Sequence, residues 1–278
     1  MFPMADENEL SETSVRPVLT TTWLGRPYLY IEEIDSTNER MKAWAADPAY
    51  PSGTVLLAEY QSAGRGRLDR RWEAPPGTAL LFSVLLRPRW PARQGSWLTM
   101  LAGLAVAETI EGVAGLPARL KWPNDVVLAV GESEEWHKVC GLLLDVALTT
   151  GGDHLESAII GIGLNVNVPG AAMPQSASPA TSLLVAGGKP VSRRALLLAL
   201  LERLERHYDA ALDGRSPAEA WAARLITLGR PVWVTSLGSA SPLAGTAEGV
   251  DEWGQLLVRD AAGTLHTVTA GDVTLRRR

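Results

Sequence analysis

From about residue 28 onward the chain alternates between short apolar runs and polar or glycine-bearing turns, and the runs follow two different periods. Residues 28–34, 54–59, 79–86, 119–128, 138–148 and 155–168 have strand length, apolar character and Gly, Pro, Asp or charged boundaries, so each is expected to be a strand. Helical spacing dominates around 97–113, 193–212 and 217–228; in the second window Leu196, Leu200, Leu204 and Tyr208 share one face, as a core-packing helix requires. Ser36-Thr37-Asn38-Glu39 has the S-x-x-E form of a capping box and should open another helix through Met41, Trp44 and Ala45. Turns between the later strands are charged or glycine-rich, which suits antiparallel pairing better than repeated βαβ crossovers. The expected fold is α+β: a mixed, largely antiparallel sheet with helices packed on one side.

The two ends differ from this pattern. Residues 1–22 are rich in Glu, Ser and Thr with little apolar periodicity, and are expected to form a mobile tail too short for a helix-turn-helix unit. Beyond Gly229, short β runs at 231–237, 243–250, 255–259, 264–269 and 273–275 are broken by Gly, Asp and Pro. They predict a small C-terminal β-barrel at 229–278, leaving 23–228 as the main domain.

Composition narrows the classes. At 278 residues the chain can bury one large core and a small one, and 46% hydrophobic with 21% charged residues is ordinary globular usage. A net charge of -5 argues against a surface built to hold nucleic acid, so any anion site must be local. Cys140 is the single cysteine, lies in an apolar run, and reads as a small buried hydrophobe rather than a nucleophile. The acidic N-terminus lacks the features of a secretory signal, and Glu108 and Glu111 interrupt the most apolar window, so a cytoplasmic protein with no membrane association is expected.

Three segments carry candidate chemistry. Between Gln61 and Trp72, Arg65, Arg67, Arg70 and Arg71 crowd beside Gly64 and Gly66. Such crowding repels itself unless an anion is present, and guanidinium forks bind phosphate or carboxylate oxygens pairwise. The same loop also reads as a solvated basic turn or a nucleic-acid patch. No P-loop or dinucleotide spacing occurs, which removes support for a kinase or dehydrogenase. Lys121, in Leu120-Lys-Trp-Pro-Asn-Asp125, is either an exposed strand end or a charge able to neutralise a carboxylate and an α-phosphate. In Ile160-Gly-Ile-Gly-Leu-Asn165 the glycines mark a bulge or a close ligand approach, and Asn165 offers donor and acceptor atoms.

Taken in order, Asp35-Ser-Thr-Asn38, Glu59-Tyr-Gln-Ser-Ala-Gly-Arg-Gly-Arg67, Lys121-Trp-Pro-Asn-Asp125, Lys138-Val-Cys-Gly-Leu-Leu143 and Gly161-Ile-Gly-Leu-Asn165 closely resemble the biotin protein ligase family. The resemblance runs from about Tyr30 to the end and implies the family's class II synthetase-like catalytic fold with its small C-terminal domain. It implies that Ser36, Thr37, Asn38 and Gln61 contact the biotin rings, that Arg65, Gly66 and Arg67 wrap the carboxylate and phosphate end of the adenylate, and that Lys121 binds the reacting oxygens. Arg70, Trp72 and Asn165 would hold the triphosphate and adenine, and Gly141 would let a strand lie against the ligand. Leu68-Asp69 stands where many members carry a basic residue or Gly followed by Gly, so the loop tip is expected to move differently; Asp tolerates left-handed geometry better than most residues.

The activity so implied is ATP-dependent conversion of biotin to biotinyl-AMP, with Mg2+ offsetting the triphosphate charge, then transfer to a lysine of the biotin carboxyl carrier domain of an acyl-CoA carboxylase, without an enzymic nucleophile. Lys121 and Arg67 are the catalytic candidates; metal ligands are not fixed, with Asn124 and Asp125 as contributors. A monomer or homodimer without DNA-binding function is expected. The rival readings are a lipoate or octanoate ligase or transferase, and a noncatalytic biotin-responsive DNA regulator.

Overall fold

The structure is a computed structural model and describes residues 8–68, 70–131, 135–174, 179–235 and 242–275. Its larger part is a seven-stranded sheet of β1 (Tyr28–Ile34), β2 (Val55–Gln61), β3 (Ala79–Leu86), β4 (Ala118–Lys121), β5 (Asp125–Ala129), β6 (Trp136–Leu148) and β7 (Leu155–Asn165). The strand order is β1-β2-β3-β7-β6-β5-β4, with β1 and β2 parallel and every other neighbouring pair antiparallel. The stretch 119–128, read from sequence as one strand, is a hairpin: Trp122-Pro-Asn124 turns the chain between β4 and β5, and Lys121 pairs with Asp125. The apolar residues on both sides hid a turn signalled locally by Pro123-Asn124-Asp125.

Short α1 (Glu12–Val15) precedes the sheet, α2 (Thr37–Trp44) follows β1, and α3 (Gly95–Thr109) lies between β3 and β4. After β7 come α4 (Leu183–Gly187), which the apolar pattern did not suggest, α5 (Arg193–Leu212) and α6 (Ala218–Ala222). Sheet parity separates two layers. Leu80, Phe82, Val84 and Leu86 of β3 pack with Leu98 and Leu101 of α3 and with Leu197 and Leu201 of α5. The alternate β3 residue Leu85 joins Leu56, Ala58, Ile159 and Met41 of α2 in a second cluster. Helices therefore cover both faces around β3, correcting the one-sided expectation, and all eight residues of β3 are buried as a result. The helical stretch 92–114 is long and apolar enough by composition to cross a membrane, but it lies mostly buried within this core.

Residues 8–22 are not the mobile tail expected for 1–22; residues 1–7 lie outside the described residues. Leu10, Val15, Leu19 and Leu24 are buried, Tyr28 donates its hydroxyl to the Leu10 carbonyl at 2.7 Å, and Arg193 donates to the Asn8 carbonyl at 2.9 Å. The apolar anchors are spaced too widely for periodicity to reveal them. Their strongest tie is polar: the Glu205 carboxylate on α5 accepts the backbone N–H groups of Thr22, Trp23 and Leu24 at 2.8, 2.9 and 2.8 Å.

The second sheet is a separate C-terminal domain of β8 (Pro231–Thr235), β9 (Leu243–Val250), β10 (Leu256–Arg259), β11 (Leu265–Val268) and β12 (Asp272–Leu275), ordered β11-β10-β9-β8-β12 and antiparallel throughout. It is tied to the main domain by indole donors: Trp122 Nε1 to the Gly254 carbonyl at 2.8 Å and Trp97 Nε1 to the Glu252 carbonyl at 2.9 Å. Gly254 takes a left-handed φ of 75° with the end of the Met100 side chain of α3 packed against it.

Desolvation works against the Glu205 charge, but the three backbone donors and Thr22 outweigh it and hold its pKa below the ordinary 4.5. Glu205→Ala should therefore cost about 3 kcal/mol of stability in urea unfolding at neutral pH, since orphaned buried donors are expensive. A depressed folded-state pKa stabilises above the unfolded value and is lost on acidification. The gap between wild type and variant should accordingly shrink as pH falls through and below 4.5, and a gap independent of pH would contradict the assignment.

Candidate active site

A cavity of about 1180 Å³ opens on the α2 face of the main sheet and reaches the C-terminal domain. Its floor is set by strand register: β6 and β7 pair Gly141 with Gly163 and Leu143 with Gly161. Both pairs lie opposite the α3-facing residues Leu142, Ile162 and Leu164. A Cβ on Gly163 would fall 2.6 Å from the Trp72 indole, one on Gly141 2.8 Å from it, and one on Gly161 would collide with the Asn38 amide oxygen. The glycines read ambiguously from sequence thus mark close approach, and the ladder runs through them without a shift.

One wall is the N-terminus of α2. Ser36 caps it by accepting the Glu39 N–H, as the capping box predicts. This orients Thr37 and Asn38, both 3% exposed, toward the floor. Gln61 Oε1, at the end of β2, accepts the Thr37 backbone N–H at 2.7 Å and its hydroxyl at 3.0 Å.

The opposite wall is the arginine loop, which is a small hairpin. Gly66 N–H donates to the Arg70 carbonyl at 2.7 Å, Trp72 N–H donates to the Gly64 carbonyl at 3.0 Å, and Arg65 bridges to Arg71. Gly64 is required because the Trp72 carbonyl occupies the place of its Cβ. At the tip, Leu68 takes a left-handed φ of 55°; Asp69, to which that tolerance was assigned from sequence, lies outside the described residues.

Charge is concentrated here. Among the described residues the cavity is lined by seven Arg or Lys and four Asp or Glu side chains. Arg65 pairs with Glu39 and Arg70 with Asp272 of the C-terminal domain. Arg67 donates to Asn124 Oδ1 at 3.0 Å and to the Gly271 carbonyl at 2.9 Å, and burial lowers its pKa, with Asp125 opposing and Arg70 reinforcing. Burial likewise pushes Lys121 below 10.5; Asp125 opposes this, while Lys138 and Arg70 add to it.

All the ligand-contact candidates named from sequence, Ser36, Thr37, Asn38, Gln61, Arg65, Gly66, Arg67, Arg70, Trp72, Lys121, Gly141 and Asn165, line this one cavity. Asn165 spends its amide hydrogens inward, on the Thr181 carbonyl at 3.1 Å. Sequence reading missed Lys138. Its ammonium lies 2.6 Å from Asp125 Oδ1 and 5.4 Å from the Trp72 ring centre, above Gly141, so it stands deeper among the ligand candidates than its place at a strand start suggested. The Trp72 indole N–H is buried without an acceptor among the described residues. Cys140 is fully buried and its thiol is pushed up by that burial, as expected of a packing residue.

A polar-walled slot over a glycine floor, leading into a cluster with more cations than carboxylates, suits a compact ring compound with an anionic end. Comparison with known proteins makes this specific. Residues 30–165 match the Biotin/lipoate A/B protein ligase family, and residues 227–276 match the Biotin protein ligase C terminal domain. The chain is 34% identical to a biotin acetyl-CoA-carboxylase ligase of Mycobacterium tuberculosis, covering 95% of both chains. It is 32% identical to a bifunctional ligase/repressor of Bacillus subtilis over 96% of this chain and 79% of that one. A structure of the Aquifex aeolicus biotin protein ligase in complex with biotin and ATP superposes with a TM-score of 0.71 at 31% identity, over 91% of this chain and all of that one. This chain belongs to the biotin protein ligase family.

The surroundings of Lys121 make a measurable difference. In competitive labelling with acetic anhydride, read by mass spectrometry, Lys121 should reach half its maximal reactivity at a pH below 10.5. A midpoint at or above that value would mean that Asp125 outweighs burial.

Proposed function

We propose that this protein activates biotin with ATP to biotinyl-AMP, releasing pyrophosphate, and transfers the biotinyl group to a lysine of the biotin carboxyl carrier domain of an acyl-CoA carboxylase. The observation that carries this reading is the meeting of a wall of buried Thr37 and Asn38 and half-buried Gln61 with the Arg65-Arg67-Lys121-Lys138 cluster in one cavity. The wall takes the ring system and the cluster takes the anionic end. A carboxylate is a poor acyl donor, so one of its oxygens attacks the α-phosphorus and pyrophosphate leaves. The carrier amine, after losing a proton, then attacks the acyl carbon and AMP leaves. Positioning and fixed charge supply the acceleration.

Lys121 and Lys138 would face the carboxylate and α-phosphate oxygens, and their charges would offset the negative charge gathered there. Ligand anions would also relieve the burial cost that now lowers the pKa of Lys121 and Arg67. Arg65, Gly66 and Arg67 would wrap the adenylate, Trp72 and Asn165 would border the adenine, and Arg70 would bind the triphosphate after parting from Asp272. Mg2+ would enter with the nucleotide, held by its phosphate oxygens and water. Among the described residues no three His, Cys, Asp or Glu side chains are grouped to hold an ion. Both ends of the Asn124 amide are engaged, by Arg67 and by the Leu142 carbonyl. Asp125 is paired with Lys138.

The reading includes a cytoplasmic site of action, where ATP and apo carrier domains are met, and no DNA-binding role, since a net charge of -5 does not favour a surface that holds nucleic acid. Incubation with ATP, an apo carrier domain and either biotin or lipoate, followed by intact mass measurement, tests it. A biotin-sized increment is expected; a lipoyl increment, or none, would overturn it.

Two substitutions test the roles. Lys121→Ala should slow pyrophosphate formation at least about a hundredfold, the scale for loss of one preorganised charge, with folding intact by circular dichroism. Arg67→Gly should release free biotinyl-AMP into solution during turnover, seen in quenched samples as adenylate separable from the enzyme. Retained adenylation in the first case, or unchanged retention of the adenylate in the second, would remove that residue from its role.

A further inference from the structure

Six of the seven cations that line the cavity are placed by a neighbour or by exposure. Arg65, Arg70 and Lys138 each face a carboxylate, Arg67 is held by Asn124 and the Gly271 carbonyl, and Lys121 has Asp125 beside it. Arg71 is exposed on the hairpin. The seventh, Arg230, is half-buried where the chain passes into the C-terminal domain. Among the described residues its side chain has no hydrogen bond and no ion pair, although it borders the cavity.

Its backbone, by contrast, is fixed on both sides. Gly229 N–H donates to the Ala247 carbonyl at 2.8 Å and the Arg230 carbonyl accepts the Ala247 N–H at 3.0 Å, which adds Arg230 to the β8–β9 ladder. Upstream, the connecting segment lies along the lysine strand. Leu120 N–H donates to the Arg224 carbonyl at 2.9 Å, Ile226 N–H to the Leu120 carbonyl at 2.8 Å, and Trp122 N–H to the Thr227 hydroxyl at 3.0 Å. This parallel register sets Ile226 beside Lys121, and both line the cavity. Arg230 follows Ile226 by four residues, so their Cα atoms are at most about 14 Å apart, and nearer because the chain turns between them. A lysine and an arginine entering one cavity from these two points can grip the two ends of a multiply charged anion.

Adenylation needs such a grip. As the carboxylate oxygen bonds to the α-phosphorus, the bond to the bridging oxygen breaks, its electron pair leaves with the pyrophosphate, and no proton is required. The leaving group departs roughly in line with the attacking oxygen, on the side away from the ring-binding wall. With the ring at Thr37, Asn38 and Gln61 and the base at Trp72 and Asn165, the part of the lining still unassigned is that of Ile226, Arg230, Pro231 and β12. We infer that Arg230 binds the β- and γ-phosphates of ATP and takes up the charge that grows on the departing pyrophosphate. Its guanidinium offers paired N–H donors to phosphate oxygens. Arg70 must part from Asp272 to do the same, whereas Arg230 gives up no ion pair. The inference rests on the biotin reading and adds to it a residue of the interdomain connection.

Biotin-dependent exchange of labelled pyrophosphate into ATP tests this. Arg230→Gln should raise the KM for pyrophosphate and for ATP at least about tenfold, the scale of lost charge-assisted hydrogen bonds, with the KM for biotin within about twofold. Arg230→Lys should recover most of the loss. The thermal midpoint should not move, because the side chain holds nothing in the fold. Transfer from supplied biotinyl-AMP to an apo carrier domain involves no pyrophosphate and should stay within about twofold of wild type. An unchanged KM for pyrophosphate in the Gln variant would overturn the inference. So would an equal loss in transfer from supplied adenylate, which would mark Arg230 as a brace between the domains. A wild type that exchanges no pyrophosphate in the presence of biotin would instead overturn the functional reading.

Discussion

Positive charge confined in a half-buried cavity is the constraint to which the rest of the structure answers. Two like charges about 5 Å apart repel by about 3 kcal/mol at an effective dielectric of about 20, and Arg65, Arg67, Arg70, Lys121 and Lys138 share one enclosure. The protein restrains them with a few carboxylates placed at the edges: Glu39 from α2, Asp125 from the β4–β5 turn, and Asp272 from the C-terminal domain. Each holds one cation and leaves the centre positive. Burial is the first cause of the lowered pKa values of Lys121 and Arg67, and the neighbouring cations add to it against the opposing charge of Asp125.

The same constraint explains the C-terminal sheet. Among the described residues it contributes no side chain to the Thr37-Asn38-Gln61 wall, yet Gly271 and Asp272 hold the two arginines nearest the hairpin tip. Trp122, immediately after Lys121, donates to Gly254 of that domain. The lysine strand and the arginine loop are thus braced against one body, which fixes their separation more firmly than a flexible loop alone would allow.

Much of this was legible in the sequence because the strands are apolar runs with sharp ends and because the site residues come in dense clusters. The arginine loop, the α2 cap and the glycine pair needed no partner to be noticed. What escaped depends on pairing across the sheet. Lys138 looks like any strand start until β5 brings Asp125 beside it. Asp145 and Ser83 are ordinary strand positions whose hydrogen bonds to Asn38 follow from the register of β7 against both β3 and β6. The N-terminal segment escaped because its polar ties to α5, through Glu205 and Arg193, lie 183 and 185 residues away along the chain.

Strand β7 shows how one segment serves stability and chemistry together. Ala158, Ile160, Ile162 and Leu164 are buried in the core shared with α3, while Gly161, Gly163 and Asn165 on the other face line the cavity. A slip of one residue would exchange the two sets, putting glycines in the core and isoleucines on the cavity floor. Pairing with β3 on one side and β6 on the other excludes that slip over residues 158–165. The floor of the site is therefore fixed by the same hydrogen bonds that hold the sheet. A bulky residue on the α3 face would first reduce stability, whereas a methyl group on the glycine face would meet Asn38 or Trp72 and first change what the cavity can hold.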